Sequence, residues 1–280
     1  DTESPKERTD RILQRAMPKL VLTDREFSRD GAKALPLAAL AEDAPPVDMG
    51  IIEKVQGNTP AYLMFTSGST GFPKGAAIAH ASQLNFCHWA RETFSITSGD
   101  VLSGANALYF DNSVFDFTAS LFNGACLTPV DRDTTKQPKA LVNAVKDCTV
   151  WFSVPSLLIY LTTLKALGAE KWPRMRAIVF GGEGFPKAEL KKLHALFGAQ
   201  ATLWNVYGPT ECTCICSAYA IGEKDFVDMD KLAPLGHLAT NFSGSVMDES
   251  GARAVAAGEG GELFLMGPQV ALGYYNDPAL

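Results

Sequence analysis

No stretch of this sequence approaches the roughly 20 consecutive apolar residues that a membrane helix needs. Positive charge is scarce too: 25 Lys and Arg stand against 31 Asp and Glu, a net charge of −6 with an isoelectric point near 5.3. No basic stripe is offered to a phosphate backbone, so neither nucleic acid nor a membrane is an expected partner. The first residues, Asp1-Thr2-Glu3-Ser4-Pro5-Lys6, contain no apolar segment resembling a secretory signal. Cysteine occurs six times, but no two form a Cys-x-x-Cys pair, so zinc-ribbon and dithiol redox readings lack their spacing. Cys212, Cys214 and Cys216 alternate, which on a strand would put them on one face. Reduced thiols packing as small hydrophobes are the expectation, and with them a cytoplasmic location.

What is present suits a large globular core. Hydrophobic residues make up 46% of the 280 and charged residues 20%. Residues 5–19 read as an amphipathic helix ended by Pro18, and Val21-Leu22 as a short strand. The mixed stretch 28–60, with Pro45-Pro46, reads as a connector rich in loops. Strands are expected at 61–66, 75–79, 149–153, 177–181 and 202–206. Helices are expected at 82–94, 113–123, 138–147, 156–167 and 186–197. Strands interleaved with helices argue an α/β fold with largely parallel sheets over residues 1–231. From about residue 232 the pattern shifts to short strands at 244–248 and 261–266, the mark of a small β-rich subdomain over 232–280.

The most distinctive local pattern is Thr66-Ser67-Gly68-Ser69-Thr70-Gly71-Phe72-Pro73-Lys74-Gly75. Its glycines let backbone N–H groups close on an anion, its hydroxyls add donors, and Lys74 adds charge for phosphate. It is not a Walker A loop, which requires Gly-Lys-Ser/Thr where this sequence has Pro73-Lys74-Gly75. The ten residues resemble the signature of the adenylate-forming superfamily, which includes acyl-CoA synthetases, luciferases and the adenylation domains of nonribosomal peptide synthetases. Later segments arrive in the order that resemblance implies: Gly181-Gly182-Glu183, then Asn205-Val206-Tyr207-Gly208-Pro209-Thr210-Glu211, then Gly261-Glu262-Leu263 through Gly273-Tyr274-Tyr275.

The resemblance implies roles. Thr66, Ser67, Gly68, Ser69, Thr70, Gly71 and Lys74 would close over the β- and γ-phosphates of ATP. Gly182, Glu183, Asn205 and Gly208 would belong to the nucleotide site, with Tyr207 stacking on adenine and Thr210 at the α-phosphate. Glu211 would ligate Mg²⁺. Thr66, Lys74, Thr210 and Glu211 would carry the catalysis. Phe110-Asp111-Asn112-Ser113 resembles the Phe-Asp-x-Ser segment of amino-acid adenylation domains, whose aspartate pairs with the substrate ammonium. The competing reading is that Asp111 caps the following helix; Asp116 reads as structural or solvent-facing. The rest of the substrate pocket would be Asn112, Phe115, Ser153, Val179, Gly181, Val206, Cys214 and Ile215, mostly apolar or small, with open room beside Gly181. His80 and His237 read as structural, because the implied reaction needs no protein base.

The family continues past this point with a ribose-binding aspartate, a hinge and a C-terminal lid domain carrying a lysine. The chain is therefore expected to be an internal piece of the large N-terminal domain, with little activity alone. The implied activity of the intact enzyme is ATP-dependent formation of an aminoacyl-AMP with release of pyrophosphate. Transfer to the phosphopantetheine thiol of a carrier protein would follow. A D-alanine–carrier-protein ligase, an acyl-CoA or fatty-acid ligase, and a degenerate adenylation-like interaction module are the alternatives.

Overall fold

A computed structural model describes residues 4–24, 26–27, 31–40, 49–67 and 72–277. The chain divides into two compact units, residues 1–80 with 272–280 and residues 81–271.

In the first unit, helix α1 (Lys6–Ala16) ends one residue before Met17, which turns left-handed at φ 45. Pro18 explains the stop, since it disfavours helical backbone in the residue before it. Arg15 ties the helix to the far end of the unit, pairing with Asp277 at 2.9 Å while the Asn276 amide donates back to the Arg15 carbonyl. The expected connector holds structure of its own: β1 (Leu20–Thr23) pairs in parallel with β2 (Lys33–Pro36), and a turn of helix α2 spans Met49–Ile52. Pro45-Pro46 lies outside the described residues. Strands β3 (Pro60–Thr66) and β4 (Lys74–Ala79) form an antiparallel hairpin.

The second unit is a seven-stranded sheet with helices between its strands. Along the chain run α3 (His80–Phe94), β5 (Val101–Gly104), α4 (Asn112–Leu121), β6 (Cys126–Pro129), α5 (Arg132–Thr135), α6 (Pro138–Ala144) and β7 (Val150–Ser153). There follow α7 (Pro155–Thr163), β8 (Ala177–Gly181), α8 (Lys187–Phe197), β9 (Thr202–Tyr207), β10 (Ser217–Ala220) and β11 (His237–Leu238). The sheet order is β11-β10-β9-β8-β7-β5-β6, parallel from β6 to β9 and antiparallel at β9-β10-β11. A separate antiparallel hairpin is formed by β12 (Ser243–Met247) and β13 (Glu262–Met266).

Strands β7 and β8 are buried along their whole length, as parallel strands covered on both faces must be. One face packs Trp151, Ile178 and Phe180 against Leu158, Leu161, Leu190, Leu193 and Phe197. At the opposite end of the strands from the motifs, Arg176 grips Asp100 through two nitrogens, at 2.8 and 2.7 Å, and donates to the carbonyls of Phe94 and Ser95. No helix among the described residues is long and apolar enough to cross a membrane.

Candidate active site

The phosphate-loop motif lies on the β3–β4 hairpin. Antiparallel pairing sets Thr66 directly across from Lys74, so strand geometry fixes the base of the loop. Its tip, Gly68, Ser69, Thr70 and Gly71, lies outside the described residues, and Ser67 is exposed. The Lys74 ammonium stands 5.3 Å from the centre of the Tyr274 ring, a cation–π distance. The backbone N–H of Tyr275 donates to the Gly75 carbonyl at 2.8 Å, which holds the closing segment of the unit on the lysine strand.

In the second unit, the Tyr207–Glu211 segment starts at the last residue of β9 and leads out of its carboxyl end. The chain turns through Gly208-Pro209 into a single 3-10 turn, Thr210–Cys212, then takes two left-handed residues, Thr213 at φ 58 and Cys214 at φ 71. A side chain at Gly208 would collide with the Cys214 carbonyl, so only glycine lets the two limbs of this loop close. The Thr213 hydroxyl donates to the Gln269 carbonyl at 2.7 Å, and Ala271 N–H donates to the Glu211 carbonyl at 2.8 Å. The cysteine alternation thus marks no strand. Cys212 ends the 3-10 turn, Cys214 is left-handed, and Cys216 precedes β10; all three are buried free thiols.

The ends of β7, β8 and β9 and the start of α4 converge on a cavity of about 210 Å³. It is lined by Asp111, Asn112, Phe152, Gly181, Gly182, Val206, Gly208, Pro209, Thr210, Cys214 and Ile215. This is the carboxyl end of the parallel strands, where open α/β sheets bind ligands. Asp111 precedes α4 but makes no capping hydrogen bond; its carboxylate accepts from the Thr210 hydroxyl and the Asn112 N–H. Burial pushes the Asp111 carboxyl up, the Thr210 bond opposes the rise, and the charge of Glu211 adds to it. Burial likewise pushes up the phenol of Tyr207 and the thiol of Cys214.

Not every expected residue reaches the cavity wall. The β7–β8 register pairs Phe152 with Val179 and Ser153 with Phe180. Phe152 therefore shares the cavity face with Val179 and Gly181, while Ser153 points to the other face, where its hydroxyl accepts from Trp151 Nε1 at 2.8 Å. Val179 sits one pleat deeper than Gly181, and Phe115 stands behind Phe152 with ring centres 4.9 Å apart. Glu183 accepts from the Ser156 N–H at 3.2 Å, and the Asn205 amide donates to the Pro234 carbonyl at 2.9 Å. Tyr207 and Glu211 flank the cavity without lining it. Room beside Gly181 is also absent, because a Cβ there would lie 2.5 Å from the Val206 carbonyl oxygen. Phe152 and Pro209 were not foreseen, though period-two alternation through 149–153 carried the signal for Phe152. A larger groove of about 950 Å³, bordered by Lys136, Lys139, Lys146, Lys165 and Lys171, contains no motif residue.

The family model described as AMP-binding enzyme matches residues 1–275. A D-alanine--D-alanyl carrier protein ligase of Bacillus cereus is 32% identical over 291 residues, which is 100% of this chain and 56% of the relative. An L-proline--[L-prolyl-carrier protein] ligase of Streptomyces coelicolor is 37% identical over 218 residues, 77% of this chain and 41% of the relative. Among solved structures, AB3403, a four-domain nonribosomal peptide synthetase bound to AMP and glycine, superposes with a TM-score of 0.83 at 27% identity, covering 100% of this chain and 20% of that one. The chain spans about half the length of the curated relatives it matches.

Proposed function

We propose that this chain, which belongs to the AMP-binding enzyme family, forms the substrate-binding core of a ligase that activates an α-amino acid as its aminoacyl-AMP. The observation that carries this reading is Asp111, a half-buried carboxylate and the one charged side chain among the residues that line the cavity. A buried carboxylate is costly until a cation meets it, and a substrate ammonium is such a cation. Thr210, bonded to Asp111 here, would face the α-phosphate from the same wall. The substrate carboxylate would attack the α-phosphorus in line; an O–P bond forms as the bond to pyrophosphate breaks. Positioning and charge stabilisation would supply the rate.

The residues present suit magnesium delivered with the nucleotide. Mg²⁺ binds through one or two carboxylates plus substrate phosphates rather than an all-protein cage. Glu211 provides one carboxylate, and no group of three His, Cys, Asp or Glu that could hold a metal occurs among the described residues. When bound, the ion would neutralise phosphate charge. Residues 1–231 would hold the nucleotide and substrate sites and 232–280 the start of the β-rich part. The aminoacyl group would pass to a carrier protein, the partner that the names of both ligase relatives give, with a phosphopantetheine thiol as its acceptor.

The cavity is smaller than the roughly 300–1,000 Å³ of drug-sized sites, which favours an amino acid with a small, uncharged side chain. D-alanine is the second reading, favoured by the Bacillus relative. Pyrophosphate exchange by the full-length protein against L- and D-amino acids, des-amino analogues, fatty acids and aryl acids tests the proposal. Equal activation of des-amino or fatty acids would overturn it.

A further inference from the structure

Asp116 was expected to be structural or solvent-facing. It is 2% exposed, and its carboxyl accepts three hydrogen bonds from a single residue, Asn106. The Asn106 backbone N–H reaches one Asp116 oxygen at 3.2 Å, and the Asn106 amide reaches both, at 3.1 and 3.0 Å. The same amide donates to the Phe152 carbonyl at 3.0 Å. One side chain between β5 and α4 thus joins two walls of the cavity: α4, which carries Asn112 and follows Asp111, and β7, which carries Phe152.

We propose that Asn106 and Asp116 form a positioning clamp that sets the distance between the Asp111 wall and the Phe152 wall of the amino-acid pocket. The inference rests on the amino-acid reading of that pocket. Two observations favour this role over a merely structural one. First, no cation among the described residues compensates Asp116: burial pushes its carboxyl well up, and the Asn106 bonds oppose the rise. A fold in need of cohesion alone would be served better by an apolar side chain of that size. Second, the other buried polar side chains of α4 bond locally, Ser113 to the Phe110 carbonyl, Thr118 to the Val114 carbonyl and Ser120 to the Asp116 carbonyl, and tie it to no strand. The apolar contact of Phe115 with Phe152 holds the two elements together but lets them slide. The directed bonds of Asn106 fix the offset. A misplacement of about 1 Å at a reacting site can cost about a hundredfold in rate.

The test uses the full-length protein with Asn106→Ala, Asp116→Asn and the control Thr118→Val. Pyrophosphate exchange gives separate KM values for amino acid and ATP, and thermal unfolding reports stability. The clamp predicts that Asn106→Ala and Asp116→Asn raise the amino-acid KM about tenfold or more while the ATP KM moves less than twofold. Thr118→Val should move neither KM. Unchanged KM values with a lowered melting temperature, or equal rises in both, would overturn the clamp. Absence of amino-acid-dependent exchange in the unaltered protein would instead overturn the functional reading, and the clamp's role with it.

Discussion

The charge of Asp111 can be tested without disturbing its surroundings. Asp111→Asn keeps the size of the side chain and an oxygen to accept from the Thr210 hydroxyl, and removes only the charge. Two unit charges about 4 Å apart at an effective dielectric near 20 attract by about 4 kcal/mol. Part of that attraction is offset by the hydration the substrate ammonium loses on entering, so a net of about 2–3 kcal/mol is reasonable. At about 1.36 kcal/mol per factor of ten, kcat/KM for the amino acid should fall roughly 30- to 150-fold. A des-amino analogue has no ammonium to lose, so its kcat/KM should stay level or rise as the negative wall disappears. The informative quantity is the double difference, variant against unaltered and amino against des-amino, measured by pyrophosphate exchange in the full-length protein. Equal loss for both substrates would mean that Asp111 organises the pocket without pairing the ammonium. That result refutes the electrostatic argument.

Two further outcomes follow from other parts of the chain. Glu211→Gln should lower exchange by orders of magnitude and shift the Mg²⁺ dependence to higher concentration, because it removes the carboxylate proposed for the metal; near-normal exchange at ordinary Mg²⁺ would take Glu211 out of the site. Asp100→Asn should lower stability at pH 7 by about 2–3 kcal/mol, a buried-pair value discounted because the Arg176 side chain is 36% exposed. Burial alone would raise the Asp100 carboxyl, but Arg176, Thr149 and the Thr97 N–H together hold it well below the usual carboxylate range. Its folded pKa lies beneath the unfolded value of about 3.9, so its contribution is present above that pH and fades as pH falls further. Urea unfolding of the two proteins should converge in strong acid. A deficit that persists unchanged there would contradict the ion-pair account.

The sequence disclosed the elements whose signals are local. Strand β8 is a run of apolar residues ending in glycines, and α8 carries leucines at helical spacing behind Pro186, so both were readable. Strands β5, β6 and β10 escaped because each is only four residues long, and its partners, not its composition, make it a strand. Cys212, Cys214 and Cys216 are the buried thiols that the sequence suggests, but not on a strand. Their alternation matches a strand, but Thr213 and Cys214 take left-handed backbone because the loop must fold back against Gly208. Nothing in Cys-Thr-Cys-Ile-Cys announces that constraint.

The cavity shows the same division between local and relational information. The motifs identified Asp111, Gly181, Gly182, Gly208 and Thr210 as individual residues, and all five line the wall. Whether Phe152 or Ser153 joins them depends on register, because a slip of one residue exchanges the faces of a strand. Register in β7 is set by pairing with β8, and β8 is fixed where Gly181 meets the Val206 carbonyl of β9. The absence of a side chain at residue 181 therefore does more than leave the pocket bare on that side. It lets β9 approach β8 closely enough to bring Val206, and the Tyr207–Glu211 loop that follows, to the edge of the cavity. A glycine that reads in sequence as spare volume is in the fold a close contact, where a Cβ would meet the Val206 carbonyl.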